Sequence, residues 1–259
     1  MSSSIARTFL ALLGRDVWVT VRHDNIAFLA QALLQPIFFL FIFGRVLPDI
    51  GAAQGGYGAA LLPGVLALTL FLTSLQATAL PLVLEFSFTK EIEDRLLAPA
   101  PVWAVGVEKL VFAAGRGIVA ALLILPLGAL ILPGGIDLTE ASWPGFAAIL
   151  LAGSLAGGSV GLLLGTAVPP NRINIAFTVI LTPLLFTGAT FYPWTALGNL
   201  RWFQVVTLFN PLTYVSEGSR GALTGVSHLG NGWVALGLAG SLVAFGTAGL
   251  LGFNRRAVD

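Results

Sequence analysis

The sequence predicts an all-α protein integral to a membrane, and three observations predict it. Only 10% of the 259 residues are charged, against about 25% in soluble domains, while 56% are hydrophobic and the mean hydropathy is +0.91. The apolar residues gather in six long runs, each close to the roughly 20 residues that a helix needs to cross a hydrocarbon core about 30 Å thick. None of the runs alternates polar and apolar residues at period two, as outer-membrane barrel strands do, which leaves helices as the spanning structure. The composition speaks against a soluble enzyme. The absence of cysteine excludes a disulfide framework, a thiolate metal site and a Cys nucleophile, and His23 and His228 are too far apart for a His-based metal motif. A net charge of +1 gives no electrostatic case for a nucleic-acid partner.

Residues 1–25 read as an amphipathic helix. Arg7, Arg15 and Arg22 are spaced to share one side of it, while Ile5, Phe9, Leu12 and Leu13 turn to the other. Such a helix lies flat at the lipid headgroups before the first span and is not a cleavable signal; the plainer alternative is a solvated N-terminal helix. A transmembrane domain over 26–256 follows, with spans at about 26–47, 60–84, 110–132, 146–168, 173–191 and 233–253.

With the N-terminus inside, Arg7, Arg15, Arg22, Lys90, Arg95, Lys109, Arg172, Arg255 and Arg256 fall on the inner side. Arg45, Arg201 and Arg220 fall outside, and Arg116 lies within the third span, close enough to its start to snorkel inward. Basic residues accumulate on the cytoplasmic face, so the expectation is a multi-pass protein of the inner (cytoplasmic) membrane with both termini in the cytoplasm. All six Trp fall at or near span ends, where headgroups favour them.

Three segments are neither plain spans nor plain loops. The inner loop 85–109 is dense in charge, and Thr89 to Leu97 fits a short amphipathic helix stopped by Pro99 and Pro101, with Ile92, Leu96 and Leu97 on its apolar face. It reads as a cytoplasmic contact helix, the alternative being a solvated charge run. In the fourth span Gly153, Gly157, Gly161 and Gly165 form a stripe that lets another backbone approach, from the same chain or from a second copy. The region 192–225 is too long and too aromatic for an exposed loop, yet it is broken by Asn199, Arg201, Gln204, Asn210, Glu217 and Arg220. Irregular backbone at membrane depth needs protein around it, so this region is expected to be a re-entrant helical hairpin in the outer leaflet rather than a loop on the headgroups.

Catalytic chemistry is missing. The chain has no Gly-x-x-x-x-Gly-Lys-Ser/Thr loop to cradle nucleotide phosphates and no His-Glu-x-x-His. Its spans lack the buried carboxylates of an ion-coupled carrier.

The order of these elements resembles the permease subunits of type-2 ATP-binding-cassette exporters, in the branch of daunorubicin-resistance and nodulation-factor export permeases. Phe209-Asn210-Pro211-Leu212-Thr213-Tyr214, followed by Arg220 to Gly225, is similar to that family's Asn-Pro-x-Thr…Arg-x-x-x-x-Gly signature. Glu91-Ile92-Glu93-Asp94-Arg95-Leu96-Leu97-Ala98-Pro99 is similar to its acidic inner-loop helix, although the usual Gly-Thr pair before the acidic residue is absent. The likeness covers nearly the whole chain.

The resemblance implies a transport subunit with no cofactor and no ATPase site of its own. ATP and Mg would be held by a separate nucleotide-binding subunit, and a second permease copy, identical or closely related, would complete the assembly in membrane lipid. Coupling to the ATPase is then expected of Arg15 and Arg22 on the N-terminal helix and of Glu91, Ile92, Glu93, Asp94, Arg95, Leu96, Leu97 and Pro99. A substrate path at the dimer interface would involve Gln31, Gln35, Phe38 and Phe39, Thr73 and Gln76, and Asn174, Thr178 and Thr182. An outer gate would involve Phe191, Tyr192, Asn210, Pro211, Tyr214 and Arg220. An amphiphile (drug, lipid or lipid-linked glycan) suits the aromatic and apolar composition of the chain. The rival readings are a non-transporting membrane scaffold or assembly factor, which needs no ATPase partner, and a lipid transferase, for which Glu91 to Asp94 is the one candidate carboxylate cluster.

Overall fold

The computed structural model describes residues 2–23, 25–52, 57–89, 101–133 and 135–258. Every regular element among them is helical, and five helices are long and apolar enough to cross a membrane. Helix α1 (Ser2–Arg22) precedes α2 (Asn25–Asp49), which contains Pro36 and a π turn at Ile42–Val46. Helix α3 (Tyr57–Leu84) runs into a second π turn, Glu85–Thr89. Then come α4 (Val102–Ile131), α5 (Trp143–Ala167), the shorter α6 (Ile173–Thr187), α7 (Arg201–Thr207), α8 (Pro211–Leu223) and α9 (Asn231–Val258).

Helix α3 is the axis of the bundle. It is apolar on all sides rather than along one stripe, which suits a helix surrounded by protein, and α2, α4, α5 and α8 pack on it. Two of its hydroxyls bond back to their own helix: Thr69 donates to the Val65 carbonyl at 2.8 Å and Thr78 to the Ser74 carbonyl at 3.0 Å. The glycine stripe of α5 faces α3 of the same chain for most of its length. A Cβ on Gly157 would stand 2.5 Å from the Phe71 carbonyl oxygen, Gly161 abuts the Leu75 carbonyl, and Gly165 lies against Ala79 and Leu82. Gly153 meets Leu70 and, from α8, Val215.

Two helix backbones therefore touch with no side chain between them, and neither can yield. Gly157→Val is expected to destabilise the protein by about 3 kcal/mol through overpacking. Gly158→Ala, whose Cβ would meet nothing nearer than 3.4 Å, is the control, and thermal unfolding of both in detergent makes the comparison.

Several boundaries differ from the sequence expectation. The third span begins at Val102 rather than 110, because Pro101 in extended conformation starts the helix and Glu108 and Lys109 are buried inside it instead of ending a loop. The run expected to be a fifth span, 173–191, is helical over Ile173–Thr187 only and is not among the five helices long enough to cross a membrane; Gly188 follows it, and side chains from the α8 region take its last carbonyls. The expected helix from Thr89 to Leu97 falls on residues 90–100, outside the described residues.

Helix α1 buries the side predicted to be apolar, with Phe9, Leu12 and Leu13 half-buried, and leaves Arg7, Arg15 and Arg22 exposed. It also buries Asp16, on the same side as the apolar residues.

Candidate functional site

Two buried ionic knots mark the ends of the bundle. At the end where α1 meets α3 and α4, the Lys109 ammonium lies 2.6 Å from Glu85 Oε1 and 3.3 Å from Asp16 Oδ2, and all three side chains are nearly sealed from solvent. One cation thus fastens the N-terminal helix to the π turn after α3 and to α4. The C-terminal end of α9 joins them there. Arg256 donates to the Gly165 and Thr166 carbonyls at the end of α5 at 3.0 and 3.3 Å and to Ser87 Oγ at 3.1 Å, and it stacks on Phe86. These last carbonyls of α5 have no partner inside their own helix, and a guanidinium satisfies them well.

At the opposite end Arg220 and Glu217, one turn apart on α8 and both fully buried, form an ion pair. Arg220 Nε and Nη2 donate to the Ala60 carbonyl near the start of α3, at 3.1 and 3.0 Å, and Nη2 also reaches the Ala189 carbonyl at 3.1 Å. Glu217 accepts from the Trp194 amide at 2.9 Å and from the Leu229 amide at 2.7 Å. Four separate stretches of chain converge on one pair of side chains. Gly64 is required here because a Cβ would run into the Thr190 carbonyl, and Ala189 is held at φ +51, a region that residues with a side chain seldom occupy. Tyr57 completes the knot by donating to the Phe191 carbonyl at 2.7 Å.

The Asn-Pro-x-Thr motif makes a second joint. Asn210 Oδ1 accepts from the Leu212 amide at 2.9 Å, which caps α8, and Pro211 occupies the first turn, where no amide hydrogen is needed. Asn210 Nδ2 donates to the Leu184 carbonyl at 2.7 Å and to Thr187 Oγ1 at 2.9 Å, while Thr213 donates to the Thr207 and Thr187 carbonyls. The motif therefore starts one helix while ending another.

Of the residues expected along the path, Gln31 and Gln76 come together, with Gln31 Nε2 donating to Gln76 Oε1 at 2.9 Å. They line a cavity of about 100 Å³ with Thr73, Phe28 and Arg116. Gln35 and Phe38 lie on an exposed face of α2, and Asn174, Thr178 and Thr182 form an exposed stripe on α6, remote from the Gln pair in chain and in cavity. Phe39 instead meets an expected gate residue, with its ring 5.0 Å from that of Phe191 in edge-to-face contact. Tyr192 and Tyr214 each donate to a nearby carbonyl, of Phe186 and Leu208, at 2.7 Å. Arg15 and Arg22 are exposed on α1, with Arg22 over the Trp18 ring. Glu91, Ile92, Glu93, Asp94, Arg95, Leu96, Leu97 and Pro99 lie outside the described residues.

An open cavity of about 550 Å³ near the Arg220 end is lined by Tyr57, Asp137, Glu140 and Thr224 among others. The Thr139 hydroxyl, then its amide, holds the Asp137 carboxyl below the usual carboxylate range, so this rim stays anionic at neutral pH.

Sequence reasoning missed Asp16, Glu85, Lys109 and Glu217 as site residues. Glu217 was legible as a carboxylate three residues before Arg220, a spacing that puts the two side by side on a helix. The partners of Lys109 lie 24 and 93 residues away, and no local pattern joins them.

The candidate site thus consists of a small cavity with a hydrogen-bonded Gln pair in its wall, an ionic knot at each end of a bundle of helices long enough to cross a membrane, and an Asn-Pro-x-Thr joint between two helices. A family model described as ABC-2 type transporter matches residues 7–224. The chain is 24% identical over 222 residues to the "Inner membrane transport permease YadH" of Escherichia coli K12, covering 83% of this chain and 84% of that one. The proteins of the same name from Escherichia coli O157:H7 and Shigella flexneri match to the same extent. With most of its length in the match and the signature motif at a structural joint, the chain belongs to the ABC-2 type transporter family.

Proposed function

We propose that this chain is the permease subunit of an ATP-driven exporter that carries an amphiphile out of the cytoplasm across an inner membrane. The observation that carries the reading is a match to the transporter family over residues 7–224 in a sequence without a phosphate-binding loop. ATP and Mg are then supplied by a separate nucleotide-binding subunit, and a second permease copy faces the exposed polar stripe of α6. The inner-membrane permease name of the Escherichia coli relative supports the location.

Six crossings, with both termini on one side, are supported by the positions of the two knots, and the excess of Lys and Arg on that side supports the cytoplasm. Residues 165 and 166 lie at the Lys109 end, beside Arg256, whereas 189 and 190 lie beside Ala60 at the Arg220 end, so the stretch containing α6 runs from one end to the other. The C-terminus of α9 is back at the Lys109 end with α1. A re-entrant region at 192–225 is supported by α8: Ala222 accepts from the Ser142 amide just before α5, while Val215 meets Gly153, about 15 Å further along that helix. That depth is about half of the hydrocarbon core.

Closure of the ATPase partner on ATP pushes on the inner loop and on α1, and the permease pair shifts so that the path closes inside and opens outside. ATP must therefore bind one arrangement of the pair better than the other. The test is co-purification with native partners, followed by vanadate-sensitive ATPase activity and amphiphile uptake into inverted vesicles. Alanine at Glu91, Glu93 and Asp94 together is expected to abolish uptake while ATP hydrolysis continues; undiminished uptake removes the coupling assignment. Transport by this chain alone in liposomes, or purification without any ATP-binding partner, overturns the exporter reading and returns the scaffold.

A further inference from the structure

Between α1, α2 and α4 lies a groove of about 540 Å³ with an apolar lining that includes Leu13, Val17, Val21, Leu29, Val111 and Val119. Gly115 also lines it, and among the four glycines of α4 it is the one whose missing side chain faces open space. Gly106, Gly117 and Gly128 each sit where a Cβ would press on a neighbouring helix or loop. Glycine inside a helix is a destabilising choice relative to alanine, and packing gives no reason for this one. Its effect is to leave the groove open.

Arg116 lines the same groove. Its guanidinium lies 4.6 Å from the ring centroid of Phe28, in the first turn of α2, and 5.8 Å from that of Phe112, one turn nearer the α1 end of α4. The cation thus lies between a ring of α2 and a ring of α4 that both line the channel.

We propose that the groove seats one acyl chain of an anionic phospholipid from the leaflet in which α1 lies, with the lipid phosphate against Arg116. The occupant follows from the surroundings and the charge. Val17 and Val21 of α1 and Val119 of the membrane-crossing α4 are 46, 65 and 51% exposed, so hydrocarbon is the medium that meets them. A planar guanidinium matches phosphate oxygens in pairs and gives the site a preference by charge that an apolar groove alone lacks. The groove is separate from the Gln31–Gln76 cavity, and Phe28 and Arg116 form the wall between them. The proposal needs only that the groove lies in the bilayer, and it is independent of what the protein transports.

The full-length protein in bilayer discs with equal phosphatidylglycerol and phosphatidylcholine provides the test, with native mass spectrometry counting retained lipid. Wild type is expected to retain phosphatidylglycerol in preference. Gly115→Leu displaces about two methylenes of acyl chain and is expected to lower retention about tenfold. Arg116→Gln is expected to keep a lipid but lose the preference for phosphatidylglycerol. Val119→Phe narrows the groove from an exposed position and decides the matter should Gly115→Leu fail to fold. Equal retention of both lipids by wild type, or undiminished phosphatidylglycerol in the groove-filling variants, overturns the proposal. So does a disulfide between two chains carrying Val17→Cys, which would assign the groove to a contact between copies.

Discussion

Arg220→Ala is expected to cost about 3–5 kcal/mol and to leave little folded protein in the membrane, because it strands Glu217 as a buried carboxylate without its cation. It also removes three hydrogen bonds to the Ala60 and Ala189 carbonyls. Arg220→Lys separates charge from geometry. An ammonium restores the ion pair but cannot reach two carbonyls on separate segments while facing Glu217, so a partial rescue is expected. Glu217→Gln keeps an acceptor for one of the two amides and should fall between wild type and Arg220→Ala. Thermal unfolding in detergent ranks the four proteins. An Arg220→Ala variant as stable as wild type would mean that the knot does not hold this end of the bundle together.

This result bears on how the gate expectation should be understood. Arg220, Asn210 and Pro211 were grouped by their place in a signature, and the structure shows each at a joint: Arg220 tying α8 to α3 and to the turn after α6, Asn210 and Pro211 starting α8 while closing α6. A moving gate needs such fixed points on either side of it. Phe191 sits between them, its carbonyl held by Tyr57 and its ring against Phe39 and Phe43 of α2.

The helices were legible because burial in lipid demands long apolar runs, and 26–47, 60–84, 146–168 and 233–253 each found a helix extending only a few residues further. The glycine stripe was legible as a close contact, but not its partner, since spacing alone does not say which backbone approaches. Span three was misjudged because Glu108 and Lys109 look like an interface in sequence. A charge that finds its partners inside the protein can continue a helix that hydropathy would end. The fifth span was overextended for the converse reason: residues 188–191 are apolar enough for lipid, but side chains from α8 take the carbonyls that the helix would need.

The Lys109 knot gives the second large effect, and it separates holding from coupling. Lys109→Met removes the cation facing Asp16 and Glu85 and is expected to cost about 3–5 kcal/mol, read again as thermal unfolding. Replacing all three residues, with Asp16→Leu and Glu85→Leu added, exchanges the ions for apolar side chains. Stability is then expected to return to within about 1–2 kcal/mol of wild type, as buried ion groups are often replaceable in this way. On the proposed function, with a separate ATPase partner, export follows a different rule if the knot transmits force. Hydrocarbon contacts slide where an ammonium held by two carboxylates does not, so the triple variant should hydrolyse ATP with its partner yet export poorly. Recovery of both stability and export would make Lys109 a packing residue with no part in coupling. Recovery of stability alone would show that α1 must be fastened to α4 by directional bonds for the motion of the ATPase to reach the bundle.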